Sequence, residues 1–298
     1  MKRTLLLLLC LCLLACALPA RAEVPEAFLP AKWRRQVTMP NGSGPFQFYA
    51  QNDPVWHNTF YEINRASTKR LFGDGGCNPT ALAIVIASLV PEEELPLLLT
   101  QAAPKRDFSL CACSVNHYFC FGTYFDPAHA RQPLETGQDL LLVLPLVLGD
   151  YAAGNNPTNT LHRIRSTSDG GNGGTRPTLF APIAELYGLR TASTRSINEA
   201  LAAIDRGGLV IVSCGGRGQP FSGSSGHYVV LCAYDETYLY VMDPYVREKY
   251  PNDRRRILER IEDGVLRIDR ASLNRTGFNI YITFEPATPS TPPDSTLP

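Results

Sequence analysis

A thiol, an imidazole and a carboxylate, the three groups that acyl transfer needs, stand at Cys77, His227 and Asp243, each in a local context that favours chemistry. The run Gly75-Gly76-Cys77-Asn78-Pro79-Thr80 puts the thiol on the threshold of Ala81–Leu89, which is apolar on every face. Such a run predicts a helix enclosed by the rest of the fold. Asn78 suits its N-cap, and Pro79 the first helical position, where a missing N–H costs nothing. The positive end of a helix dipole favours thiolate over thiol, so a sulfur placed there is a candidate nucleophile. The competing explanation is an inert buried thiol. The glycine pair and a matching histidine and aspartate weigh against it.

Those partners come from two predicted strands. His227-Tyr228-Val229-Val230-Leu231-Cys232-Ala233-Tyr234 begins at the histidine, and Tyr238-Leu239-Tyr240-Val241-Met242-Asp243 ends at the aspartate. Both are rich in β-branched and aromatic residues, and Asp235-Glu236-Thr237 between them makes a three-residue hairpin loop. That loop pairs Tyr234 with Tyr238 and Val229 with Asp243, so His227 and Asp243 lie diagonally on one face, about 7–8 Å apart. A register shift of one residue would send them to opposite faces. Asp235 reads as a turn residue first and a rival orienter second. His227 could instead be a strand-end histidine satisfied by backbone, and Asp243 before Pro244 a strand terminator. Upstream, Gln51 precedes the Pro-marked turn Asn52-Asp53-Pro54; its amide could donate to a developing oxyanion beside the sulfur.

The order Gln51, Cys77, His227, Asp243 resembles that of papain-like cysteine peptidases, and more narrowly the bacterial branch related to leader peptidases that cut after double-glycine motifs (family thirty-nine of the cysteine peptidases and its "like" relatives). The segments that carry the likeness are Gln51–Trp56, Gly76–Ala83, Gly173–Thr175, Ile183–Leu189, Ala200-Leu201, Gly208–Ser213, Gly226–Leu231 and Met242–Pro244. The family usually has glycine after the cysteine, where this chain has Asn78. The resemblance implies an α+β fold of the papain type: a central buried helix carrying Cys77, packed on an antiparallel sheet carrying His227 and Asp243. It also implies roles. Cys77 is the nucleophile, His227 the base and later acid, Asp243 the orienter, and Gln51 an oxyanion donor. No cofactor or metal is called for, and the partner is a peptide or protein substrate. The same four residues would serve a cell-wall peptide amidase or an acyl transferase, and a non-catalytic peptide-binding module on a protease scaffold is a reading from another class.

The ends of the chain read as an address and a tail. Lys2 and Arg3 precede the apolar run Leu5–Leu18, and Ala20-Arg21-Ala22 is a small-residue cleavage site, so residues 1–22 are expected to be a signal peptide. A membrane span needs about 20 apolar residues, more than this run supplies. Leu13-Leu14-Ala15-Cys16 resembles a lipobox that would leave Cys16 lipidated, but the later site fits an ordinary signal better. The mature chain is therefore expected to be secreted or held in the cell envelope. Loss of Lys2, Arg3 and Arg21 leaves 25 basic against 28 acidic residues, with no electrostatic case for nucleic acid or anionic lipid as a partner. Arg254-Arg255-Arg256, followed by Glu259 and Glu262, reads as a solvated helix face. Residues 286–298 are rich in Pro and Thr and are expected to be disordered.

Between these ends, residues 23–285 form one peptidase domain with an insertion at about 95–172 that matches nothing in the family pattern. Within it Leu140–Leu148 predicts a buried helix broken at Pro145. Phe46–Tyr49, Leu209–Val212 and Phe278–Phe284 are predicted strands, and Asn198–Arg206 a helix closed by Gly207-Gly208. Six cysteines survive removal of the signal: Cys77, Cys111, Cys113, Cys120, Cys214 and Cys232. Cys111, Cys113 and Cys120 with His117 offer metal-ligand types at close spacing, but a disulfide or reduced core thiols explains them more simply. A Cys214–Cys232 bridge is possible. His57, His117, His129 and His162 have no partner pattern.

Overall fold

The computed structural model describes residues 32–54, 56–57, 72–98, 109–111, 131–133, 136–152, 177–215, 219–221, 226–250, 253 and 256–287. The leading strands β1 (Arg34–Val37) and β2 (Phe46–Tyr49) form an antiparallel pair, as do the short β3 (Ser109–Cys111) and β4 (Arg131–Pro133). The main sheet holds β5 (Leu189–Thr194), β6 (Leu209–Cys214), β7 (His227–Tyr234), β8 (Tyr238–Met242), β9 (Leu258–Glu262), β10 (Val265–Asp269) and β11 (Phe278–Pro286). Its order is β5-β11-β6-β7-β8-β10-β9, with every neighbouring pair antiparallel. The helices are α1 (Phe72–Gly75), α2 (Cys77–Leu89), α3 (Gly137–Ala152), α4 (Phe180–Leu186) and α5 (Ile197–Asp205).

Strands β6 and β7 are covered on both faces, which is why they read as continuous apolar runs rather than alternating ones. On one face, Val210, Val212, Val229, Leu231, Val241 and Leu266 cluster with Ala200, Leu201 and Ala203 of α5. That helix starts where Ser196 accepts from the Glu199 N–H (3.4 Å) and gives way to Gly207 at φ 82°. On the other face lie α2, packed on β6 and β7, and α4, whose Phe180 meets Tyr228 edge-on at 5.9 Å. Asn78 through Ile86 of α2 are all buried, as its all-round apolar pattern requires.

The structure corrects several expectations. Helix α3 does not break at Pro145 but runs through it from Gly137 to Ala152. The reason is local. Proline lacks the N–H that would reach the Leu141 carbonyl, and that carbonyl instead accepts from the Tyr49 hydroxyl at 2.6 Å. The next carbonyl, Leu142, accepts from Arg34 Nη1 at 3.1 Å. The side chains that make the helix tolerable thus come from β1 and β2. Glu259 and Glu262, read as part of a helix face, lie on the exposed edge strand β9, where pairing of Leu258 with Ile268 sets an extended backbone; Arg254 and Arg255 lie outside the described residues. The expected tail begins later than Pro286, because β11 includes Pro286 and the Ala287 N–H donates to the Gly188 carbonyl at 2.9 Å. Cys214 and Cys232 are free thiols. Their strands are neighbours, but Cys214 opposes His227 while Leu231, beside Cys232, opposes Val210, so the two sit at opposite ends of the ladder.

Residues 1–22 with Cys16, the thiols Cys113 and Cys120, the histidines His117, His129 and His162, and most of the insertion lie outside the described residues. Among the described residues no helix is long and apolar enough to cross a membrane, and no cluster of metal-ligating side chains occurs.

Tyr49→Phe should cost about 1–3 kcal/mol, because it leaves the Leu141 carbonyl without a donor. In a Pro145→Ala background, where a backbone N–H is restored, the same substitution should cost less. Urea denaturation of the four chains measures both, and equal costs in the two backgrounds would refute this account of the helix.

Candidate active site

The site forms at the end of the sheet, where the first turn of α2 meets the first residue of β7 and the residue after β8. Helix α2 begins at Cys77 itself with Gly76 as its cap, so Asn78 is not the N-cap that sequence predicts. Helix α1 runs almost directly into α2, which leaves no extended cap residue before Asn78. Pro79 still lies in the first turn, where its missing N–H has no partner to lose. The start is tied by Thr80, whose N–H (3.0 Å) and Oγ1 (2.7 Å) both donate to the Gly76 carbonyl. Cys77 is partly exposed.

His227 and Asp243 share a face as expected, by a route the sequence does not show. The hairpin loop is one residue longer than predicted: Tyr234 pairs with Leu239 rather than with Tyr238. Continued unchanged, that register would put His227 and Asp243 on opposite faces. A β-bulge between Leu231 and Ala233 takes up one residue, so that Leu231 pairs with Val241 and Val230 with Met242. The bulged residue is Cys232, whose thiol donates to the Tyr240 carbonyl at 3.2 Å. Two departures cancel, and the predicted register is restored where it matters. Asp235 is a turn residue: its carboxylate accepts from the Thr237 and Tyr238 N–H groups and the Tyr240 hydroxyl.

His227 Nε2 lies 2.6 Å from Asp243 Oδ1, with both side chains out of solvent. The same carboxylate oxygen accepts from the Tyr245 N–H at 2.8 Å. The Cys77 thiol adjoins the same imidazole and favours its charged form. With Nε2 taken by Asp243, Nδ1 is the ring nitrogen left for another partner. Burial pushes the imidazole pKa down, but the charge and hydrogen bond of Asp243, and then Cys77, outweigh it. The result is a pKa raised from 6.5 to about 9.

Gln51 is buried against the approach to the thiol, with Nε2 donating to the Gly73 carbonyl at 2.7 Å and its own N–H donating to the Pro244 carbonyl at 2.6 Å. One hydrogen of a primary amide remains after the Gly73 bond. The surrounding turn is fixed by a buried Arg34–Asp53 ion pair (2.9 Å) and by Trp56, whose indole N–H donates to the Ala50 carbonyl (2.9 Å). The structure therefore brings the Cys77, His227 and Asp243 side chains into one network and anchors Gln51 to both of its flanks.

Three neighbours had no sequence signal of their own. The Tyr228 hydroxyl is hydrogen-bonded to Asn78 and Ser213; burial and then the charge of Cys77 push its pKa up to about 12, against those two bonds. Asn78, where the family pattern has glycine, is thus matched by Tyr228; each directly follows a member of the thiol–imidazole pair. Tyr250 is held above its ordinary pKa by burial, then by the charge of the nearby Asp243. His57 packs so closely on Gly73 that a Cβ there would lie 2.3 Å from its Nδ1.

Cys77, partly exposed, and the buried His227 and Asp243 thus meet on a framework of one helix and an antiparallel sheet. Residues 45–262 match the peptidase C39-like family, and the chain belongs to that family. By its description the family is one of peptidases. No curated protein matches the chain. Among solved structures it is similar to a Bacillus anthracis protein assigned as a C39-like peptidase, with 15% identity over 40% of this chain and a TM-score of 0.27, an overlap too low to bear on the fold. This chain spans 62% of that protein's length.

The raised imidazole pKa ties stability to pH. The folded chain holds the His227 proton more tightly than the unfolded chain does, so this stabilisation is complete below about pH 6.5 and is lost as pH climbs through about 9. It amounts to something on the order of 3 kcal/mol. Urea denaturation at about pH 6 and about pH 10 should show that loss in wild type and much less of it in His227→Gln. An equal loss in both chains would mean that another group carries it.

Proposed function

We propose that the chain is an exported cysteine peptidase of papain-like fold that hydrolyses peptide bonds through Cys77, His227, Asp243 and Gln51. The observation that carries this reading is the placement of one buried imidazole between the Cys77 thiol and the Asp243 carboxylate, with Nε2 fixed at 2.6 Å. An imidazole so held is a proton carrier with one free direction, toward sulfur.

The Cys77 thiolate attacks the scissile carbonyl carbon, and the carbonyl oxygen takes the negative charge. The remaining N–H of Gln51 and the backbone N–H of Cys77 receive that oxygen, a contribution of about 2.7–4 kcal/mol for one donor in a comparable site. His227 passes its Nδ1 proton to the leaving nitrogen as the C–N bond breaks, leaving a thioester on Cys77. Water then attacks the thioester carbonyl while His227 takes its proton. The C–S bond breaks, and the carboxylic acid product and the Cys77 thiolate are released. Throughout, Asp243 holds the ring with Nδ1 facing the sulfur and stabilises its charged form. Export rests on the signal-like residues 1–22 and the Ala20-Arg21-Ala22 site.

A peptide-library digest comparing wild type with Cys77→Ala tests the reading. Wild type should generate new termini with a definable preference, and Cys77→Ala should generate none above background. Iodoacetamide should label Cys77 rapidly at mildly acidic pH, and His227→Ala should abolish that speed. Labelling no faster than that of an ordinary thiol, with no cleavage, would instead favour a peptide-binding role for the cleft.

A further inference from the structure

The two sides of the site are joined by a residue outside the proposed machinery. Asn52 Nδ2 donates to the Val246 carbonyl at 2.9 Å, and the Val246 N–H donates to Asn52 Oδ1 at 3.0 Å. One planar amide thus meets both backbone groups of one residue, which fixes rotation as well as distance. The backbone alone could not do this. Gln51 N–H reaches the Pro244 carbonyl, but Pro244 has no N–H to return. The Tyr245 N–H is spent on Asp243. Val246 is the next residue of that segment with an N–H to offer, and Asn52 takes it.

Gln51 needs this second constraint. Its amide is held at one point, the Gly73 carbonyl, and its Oε1 is buried with no hydrogen-bond partner among the described residues. The direction of its remaining N–H therefore follows the main chain of residues 51 and 52. We infer that Asn52 is a positioning residue, which sets the oxyanion donor Gln51 in register with the segment that carries Asp243. The inference rests on the role of Gln51 proposed above. Misplacement of a catalytic group by about 1 Å can cost on the order of 100-fold in rate, so the lock acts on turnover while leaving the thiol and imidazole as they are.

The test compares wild type, Asn52→Ala, Asn52→Asp, Gln51→Ala and the Gln51→Ala/Asn52→Ala double variant in two measurements. One is the initial rate of cleavage of the peptide library. The other is the rate of Cys77 alkylation by iodoacetamide, a displacement of iodide by sulfur that forms no oxyanion and so does not report Gln51. Asn52→Ala should slow cleavage about 10- to 100-fold while alkylation stays within about twofold of wild type. Asn52→Asp keeps the acceptor for Val246 N–H and loses the donor, so it should fall between; it also serves if the alanine variant does not fold. In the Gln51→Ala background, removing Asn52 should slow cleavage by less than about twofold more, because two groups that act as one are not additive. Slowed alkylation in the Asn52 variants, or a full extra loss in the double variant, would overturn the inference. So would normal cleavage by both Asn52 variants while Gln51→Ala is impaired, and there the role of Gln51 stands. Normal cleavage by Gln51→Ala would remove that role and the inference together.

Discussion

Taking the carboxylate of Asp243 wholly out of water carries a desolvation cost of several kcal/mol unless polar partners replace its hydration. The partners here are the imidazole of His227 and the N–H of Tyr245, both on Oδ1. From that arrangement the rest of the site follows in order. The carboxylate claims Nε2, so Nδ1 is left for another partner; the ring is gripped, so the thiol must be brought to it. Helix α2 does this by starting at Cys77 and burying nearly everything after it. Cys77 is then the partly exposed member of the trio, while His227 and Asp243 are buried.

Much of this was legible in the sequence because it depends on short-range pattern. The all-round apolar run after Cys77 could only be an enclosed helix. The β-branched runs at His227 and Asp243 could only be strands of one hairpin, and alternation placed their ends on one face. What was not legible depends on contacts between distant parts of the chain or on irregularities without a composition signal. The bulge at Cys232 is of this second kind. Nothing in Leu231-Cys232-Ala233 announces it, and the longer turn that it offsets looks like a shorter one. The face assignment was right because two errors of one residue opposed each other.

Long-range side-chain contacts account for the other gaps. Tyr228 and Asn78 each adjoin a reactive residue, yet their hydrogen bond exists only once α2 lies on β7. Asn52 and Val246 are 194 positions apart, and an asparagine before Asp-Pro reads as turn chemistry until the partner backbone is seen. The misplaced N-cap has a related cause. A cap is defined by the chain that precedes it, and here that chain is already helical in α1, so the favoured cap residue was carried one position into α2. For Glu259 and Glu262 the charge pattern misled because an edge strand exposes its residues much as a helix surface does.

The opened ladder of α3 makes three positions from separate parts of the chain interdependent. Proline at 145 is acceptable in that helix while a tyrosine at 49 and an arginine at 34 stand ready to occupy the carbonyls it disturbs. Arg34 is shared further, since its guanidinium also neutralises Asp53, two residues beyond Gln51. Replacing the proline would free the tyrosine to change, but not the arginine, which also pairs with Asp53 beside Gln51. Sequence change in α3 is therefore coupled, through a single cation, to the turn that follows Gln51.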